Sequence, residues 1–263
     1  MGEPMPDETA RPRLVDWIVT PFFLVGFAGT LLVFDPLLRA ASLFGLRPQE
    51  FVAGVLQQVL LRVFRLAGTH VHVERDAGVR PGVPYLVIAN HQSLFDIPIF
   101  GAVFFRSYPK FISKRELARG LPSISFHLRR GGHAVIDRSD RGDALAAIRA
   151  LAAQVRERGI SAVIYPEGTR ARRGELGAFK PAGALALLEA VPDVPVVVVA
   201  IDESWRLLRW NLLPIPFGTR VRVSICAPIA RRPDEDRLAV LERARGEIER
   251  TLARWRAERR PAG

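Results

Sequence analysis

Cysteine is nearly absent from this chain. One thiol, Cys226, in 263 residues excludes an intrachain disulfide framework and any zinc site built on cysteines. It closes the strand-like stretch Arg222-Val223-Ser224-Ile225-Cys226, where a buried, inert thiol is expected rather than a nucleophile. Lysine is almost as scarce, since Lys110, Lys114 and Lys180 are the only three among 38 Lys and Arg residues. Aromatics make up 8% of the chain and are not interleaved with basic residues, so a stacking platform for nucleic acid is missing and no nucleic-acid partner is expected. There is no internal repeat and no low-complexity linker. Ser93 is not set in a Gly-x-Ser-x-Gly elbow, which argues against a serine-hydrolase nucleophile. Nor do further histidines or cysteines cluster near His91, so no metal is expected.

What is present is positive charge and one long apolar run. The formal charge of +11 favours an anionic partner such as a phosphate-bearing substrate or an acidic membrane surface. Trp17 to Phe34 are 18 residues without a charge, just enough to cross a bilayer core of about 30 Å. Pro21, Gly26 and Gly29 are tolerated in a lipid-facing helix. Asp16-Trp17 opens the run and Asp35-Pro36 closes it where a signal peptidase needs small residues, which favours a membrane anchor over a secretory signal, with a buried core helix as the remaining alternative. A second segment, Phe51 to Leu66, is amphipathic, with Arg62 and Arg65 on its polar side. It fits a helix in the headgroup region or one packed on the body of the protein. Together the two segments suit either a hairpin entering one leaflet or a single span.

The remainder alternates short strands with helices. Strands are expected over 69–74, 85–89, 110–114, 132–136, 161–165, 194–201 and 221–226, with helices over 97–105, 141–158 and 235–259. The β-branched runs suit strands covered on both faces. This pattern predicts an α/β fold with a mixed, mainly parallel sheet flanked by helices. Two units are expected: membrane-anchoring helices in 1–66 and a catalytic domain in 67–263.

Two polar clusters follow buried strands. Asn90-His91-Gln92-Ser93-Leu94-Phe95-Asp96 comes after Tyr85–Ala89, and Tyr165-Pro166-Glu167-Gly168-Thr169-Arg170 comes after Ser161–Ile164. Open α/β sheets place ligand sites at these carboxyl ends. On one helix His91 and Asp96 would diverge by about 140°. They meet only if a turn separates strand from helix, and Asp96 would then orient the imidazole and leave its far nitrogen as a base. Gly168 permits a tight turn that brings Arg170 to the site, where its planar fork matches phosphate oxygens. Arg138 and Lys114, each after an apolar strand, are weaker candidates for the same anion.

His-x4-Asp followed by Glu-Gly-Thr-Arg resembles the glycerolipid acyltransferase family, in particular its 1-acylglycerol-3-phosphate acyltransferases. Gly132–Arg138 is similar to that family's second block and Val194–Val199 to its fourth, in the expected order over residues 85–202. Ala171, the spacing before Gly183 and Val198 depart from the family pattern but remove no chemical group. The resemblance implies acyl transfer from a thioester to a lysophospholipid hydroxyl, most simply 1-acylglycerol-3-phosphate to phosphatidic acid. It implies His91 and Asp96 as the catalytic pair, with Glu167, Gly168, Thr169 and Arg170 binding substrate. No cofactor is implied; acyl-CoA or acyl-acyl carrier protein is the co-substrate, and membrane lipids and acyl carrier protein are possible partners. Because acyl thioesters are cytosolic, the catalytic domain is expected on the cytoplasmic face of a membrane. Another acceptor, such as a lyso-aminolipid or glycerol-3-phosphate, and a non-catalytic phospholipid-binding role are the alternatives.

Overall fold

The computed structural model describes residues 11–137, 140–229, 231 and 235–259. The N-terminal run forms helix α1 (Leu14–Ser42), which turns back into α2 (Leu46–Val63). The charge-free run closes at Asp35-Pro36, but the helix does not: α1 continues through both Pro21 and Pro36 to Ser42. Asp35 instead accepts hydrogen bonds from Arg39 Nε and the Ser123 backbone N–H, both at 2.7 Å. It therefore ties α1 to the body rather than ending it.

Among the described residues seven strands follow: β1 (His70–Arg75), β2 (Leu86–Ala89), β3 (Lys110–Lys114), β4 (Ala134–Ile136), β5 (Ala162–Ile164), β6 (Val196–Asp202) and β7 (Arg220–Ile225). They form one sheet in the order β1-β7-β6-β2-β5-β3-β4, in which only β6 and β7 pair antiparallel. The mixed, mainly parallel sheet is thus as the sequence predicts. The helices after α2 are α3 (Asp96–Val103), α4 (Ile124–Arg130), α5 (Arg141–Arg158), α6 (Pro181–Ala190) and α7 (Arg237–Arg259). Sequence periodicity missed α4 and α6. The first has only seven residues, and the second is Ala/Leu-rich on every side and lacks an amphipathic stripe.

Strand alternation sorts the core into two layers. Leu86, Ile88, Val196 and Val198 join side chains of α5, α6 and α7 on one face. Val87, Ala89, Val197 and Val199 pack on the other with Ile99 and Phe100 of α3. Phe23 of α1 and Phe64 enter that second layer against Phe95, with ring centroids 5.2–6.0 Å apart. The hairpin is therefore seated in the same core as the sheet. Gly54 of α2 and Gly101 of α3 make this approach possible. A Cβ at either position would lie 2.0 Å from Phe105 or Gln57.

β2 lies between parallel neighbours, with Ile88 opposite Ile164 of β5 and Ala89 opposite Val199 of β6. α3 leaves β2 toward one face, and α6, next after β5, covers the other. The carboxyl ends of β2 and β5 thus lie side by side, the position expected of a ligand site.

Candidate active site

The turn between β2 and α3 is fastened by several of its residues. Asn90 exchanges two 2.8 Å bonds with the backbone of Ile201, tying the end of β2 to β6. The Gln92 side chain donates to Asp202 Oδ1 at 3.2 Å and to the Gly174 carbonyl at 3.4 Å. From α7, Arg259 pairs with Asp202 at 2.8 Å and Arg256 donates to the Gly174 carbonyl at 2.9 Å. The C-terminal helix thus braces the loop that carries the histidine.

Asp96 opens α3 and is fully buried. Its Oδ2 accepts from the backbone N–H of Gln92 at 2.7 Å and of Ser93 at 2.9 Å, and Oδ1 accepts from Ser204 Oγ at 2.6 Å. His91 Nδ1 lies 2.8 Å from Oδ2. With every other partner a donor, Asp96 is an acceptor here, which assigns the proton to Nδ1 and the lone pair to Nε2. Nε2 has no hydrogen-bond partner among the described residues. The pair predicted from sequence therefore meets, because a turn separates His91 from the helix that Asp96 begins.

Glu167 is buried, and each of its oxygens takes a backbone N–H: Oε1 that of His91 and Oε2 that of Gly177, both at 2.7 Å. Burial pushes its carboxyl up from the usual carboxylate range, against the pull of those two bonds. Glu167 thus acts as a brace across two loops. Gly168 has a φ of +65°, a left-handed conformation that favours glycine. Thr169 is exposed and Arg170 half-buried. The next residue, Ala171, donates its N–H to the His91 carbonyl at 2.7 Å, so the chain bearing Arg170 runs beside the histidine. Lys114 is exposed at the carboxyl end of β3, on the same sheet edge but with β5 between it and β2. Arg138 lies outside the described residues.

Other sequence expectations also find their places. His133 sits just before β4, its Nδ1 accepting from the Phe111 N–H at 3.1 Å and its Nε2 3.0 Å from His127 Nε2. Burial holds both imidazoles far below the ordinary histidine range. Cys226 is half-buried and burial raises its thiol pKa, which fits an inert side chain. Sequence reasoning missed the buttressing roles of Asn90 and Gln92, although both lie inside a quoted motif. It also missed Ser204, which has no local signal at all.

The chain matches a family model described as Acyltransferase over residues 70–202, half of its length. It is 33% identical over 154 residues to the human 1-acyl-sn-glycerol-3-phosphate acyltransferase alpha, covering 57% of this chain and 53% of that protein. Against the 1-acyl-sn-glycerol-3-phosphate acyltransferase of Cocos nucifera it is 31% identical over 136 residues, or 51% of this chain and 44% of the relative. The chain thus spans about half the length of the curated relatives it matches. Its fold is that of the crystal structure of the 1-acyl-sn-glycerophosphate (LPA) acyltransferase PlsC from Thermotoga maritima. The TM-score is 0.72 at 22% identity, over 92% of this chain and 96% of that one. Since the family match runs from β1 to the end of β6 and takes in both the histidine turn and the Glu167 loop, the chain belongs to the acyltransferase family.

Proposed function

We propose that this protein transfers a fatty acyl group from an acyl thioester to the free hydroxyl of 1-acylglycerol-3-phosphate, giving phosphatidic acid. One observation carries the reading: His91 is held through Nδ1 by a buried carboxylate while Nε2 has no hydrogen-bond partner among the described residues. In the proposed reaction Nε2 takes the hydroxyl proton as the oxygen attacks the thioester carbonyl. A new C–O bond forms, the C–S bond breaks, and the departing thiolate takes the proton from the imidazolium. A thiolate leaves readily because its conjugate acid has a pKa near 8.5, so one displacement suffices. Arg170, beside His91 in the chain path, suits the acceptor's phosphate, with Lys114 and Arg138 as further cations for it. Gly168 and Thr169 shape the loop that presents Arg170. The donor is acyl-CoA or acyl-acyl carrier protein, and no cofactor takes part.

Residues 1–66 are read as the membrane-facing unit and 67–263 as the catalytic one. α1 is the one described helix long and apolar enough to cross a membrane. Its opposite side is fastened to the body along its length, from Thr20, bonded to the Ile215 N–H, through Phe23 on Phe95, to Asp35 on Ser123 and Arg39 over Phe126. Contacts of this kind along one side support a helix that lies within one leaflet over one that crosses both. The active site then faces the cytoplasm, where acyl thioesters are made.

Thiol release from palmitoyl-CoA by detergent-purified protein, with and without 1-oleoyl-lysophosphatidic acid, tests the reading. Acceptor-dependent release that disappears in His91→Ala is expected. A wild type that binds lipid yet releases no thiol with any lysolipid, from acyl-CoA or acyl carrier protein, would refute it. A preference for a phosphate-free acceptor would reassign the substrate.

A further inference from the structure

Among the described residues, the His91 ring is hydrogen-bonded at one edge only. Glu167 and Ala171 fix its backbone N–H and carbonyl, and Asp96 fixes Nδ1. The torsion about Cβ–Cγ is broad for an imidazole, and a single edge bond lets the ring tilt and carry Nε2 away from its working position. The face of the ring is occupied by Tyr165, whose centroid is 4.1 Å away at an interplanar angle of 16°. Tyr165 is backed by Phe100, also stacked, at 5.9 Å and 30°. Parallel pairing of β2 with β5 produces this contact, since Ile88 lies opposite Ile164 and the two chains leave the sheet side by side.

The hydroxyl of Tyr165 plays no visible part in this. It is buried and has no hydrogen-bond partner among the described residues. Burial, with the Asp96 charge, holds it far above the usual phenol range, so it stays a neutral phenol. An unbonded buried hydroxyl is unfavourable, which leaves the flat ring as the useful part of the side chain. An aromatic face also attracts a cation, and the imidazole becomes one as it accepts the substrate proton.

We infer that Tyr165 is a positioning residue for the transfer proposed above: its ring is the platform that keeps the His91 imidazole in plane and steadies the imidazolium. The inference rests on His91 being the base, and two variants with two readouts test it. In Tyr165→Leu, kcat for palmitoyl-CoA and lysophosphatidic acid falls by about 30- to 100-fold, the scale of a small misplacement of a reacting group. KM for the lysolipid stays within about twofold, because ground-state binding is untouched. Tyr165→Phe restores kcat to within about threefold of wild type and melts no lower. The second readout needs no turnover: the downfield Nδ1–H proton resonance of His91, assigned by its loss in His91→Ala. It broadens or vanishes in the leucine variant and returns in the phenylalanine variant. A folded leucine variant that keeps wild-type kcat and resonance overturns the inference, and so does a phenylalanine variant as impaired as leucine. If wild type transfers no acyl group, the reaction assignment fails while the resonance still reports on the platform.

Discussion

Asp96 receives four donors, and three of them come from its own turn. The fourth, Ser204 Oγ, reaches in from the segment after β6 at 2.6 Å. It occupies the oxygen that faces away from the backbone donors and so limits rotation of the carboxylate that orients His91. A hydrogen bond to a charged group contributes about 1.5–3 kcal/mol. Ser204→Ala should therefore lower kcat about tenfold or more with little change in KM, measured by steady-state thiol release beside a thermal melt. An unchanged kcat would show that the backbone donors suffice. Lys114 takes no part in this network, and its exposure at the end of β3 makes it a peripheral cation at most.

At the scale of elements, the joint between α2 and the sheet is a buried ionic node. Glu50 Oε1 lies 2.5 Å from Lys110 Nζ of β3 and 2.6 Å from Arg158 Nη2 at the end of α5. Burial lowers the Lys110 pKa from 10.5 to about 8, with the Glu50 charge opposing the drop. The folded chain thus holds this proton more weakly than the unfolded one. The cost of the buried charge is fully present below pH 8. Between that value and the lysine reference of about 10.4 the unfolded state binds more protons, so the contribution of Lys110 to stability rises with pH. Urea midpoints of wild type relative to Lys110→Met should accordingly move in favour of wild type from pH 8 to 10, and a pH-independent difference would contradict the assignment. Removing Glu50 strands the buried Lys110 ammonium and takes this partner from Arg158, which is 21% exposed, and Glu50→Ala is expected to destabilise by about 3–5 kcal/mol.

Over the whole molecule, α1 has two unlike sides. Phe23, Leu31 and Leu38 are buried against the body, whereas Leu14, Ile18, Phe22, Val25 and Leu32 are 54–77% exposed. Their helical spacing makes one continuous apolar stripe, and at about 25 cal/mol per Å² its transfer into lipid favours membrane association. A Phe22→Glu/Val25→Glu pair should reduce flotation with anionic liposomes at least tenfold and leave the thermal melt nearly unchanged, because neither side chain belongs to the core. Full flotation of that pair would place the membrane contact elsewhere.

Much of this was legible in residue order, because the signals are local. β-branched runs mark buried strands, polar clusters at their ends mark the site, and 18 uncharged residues mark the apolar helix. The spacing of His91 and Asp96 dictates that a turn must lie between them if they are to meet. What only the tertiary structure decided depends on contacts between segments far apart in the chain. Ser204 reaches Asp96 across 108 positions and Glu167 reaches His91 across 76. Glu50 meets Lys110 and Arg158 from a separate helix. Periodicity carries no information about such pairings, because strand order and parallel register choose which side chains converge. The same holds for α6, whose apolar surface has no preferred side until the sheet and α7 cover it, and for α1, whose exposed apolar stripe is defined only once its other side has found the core.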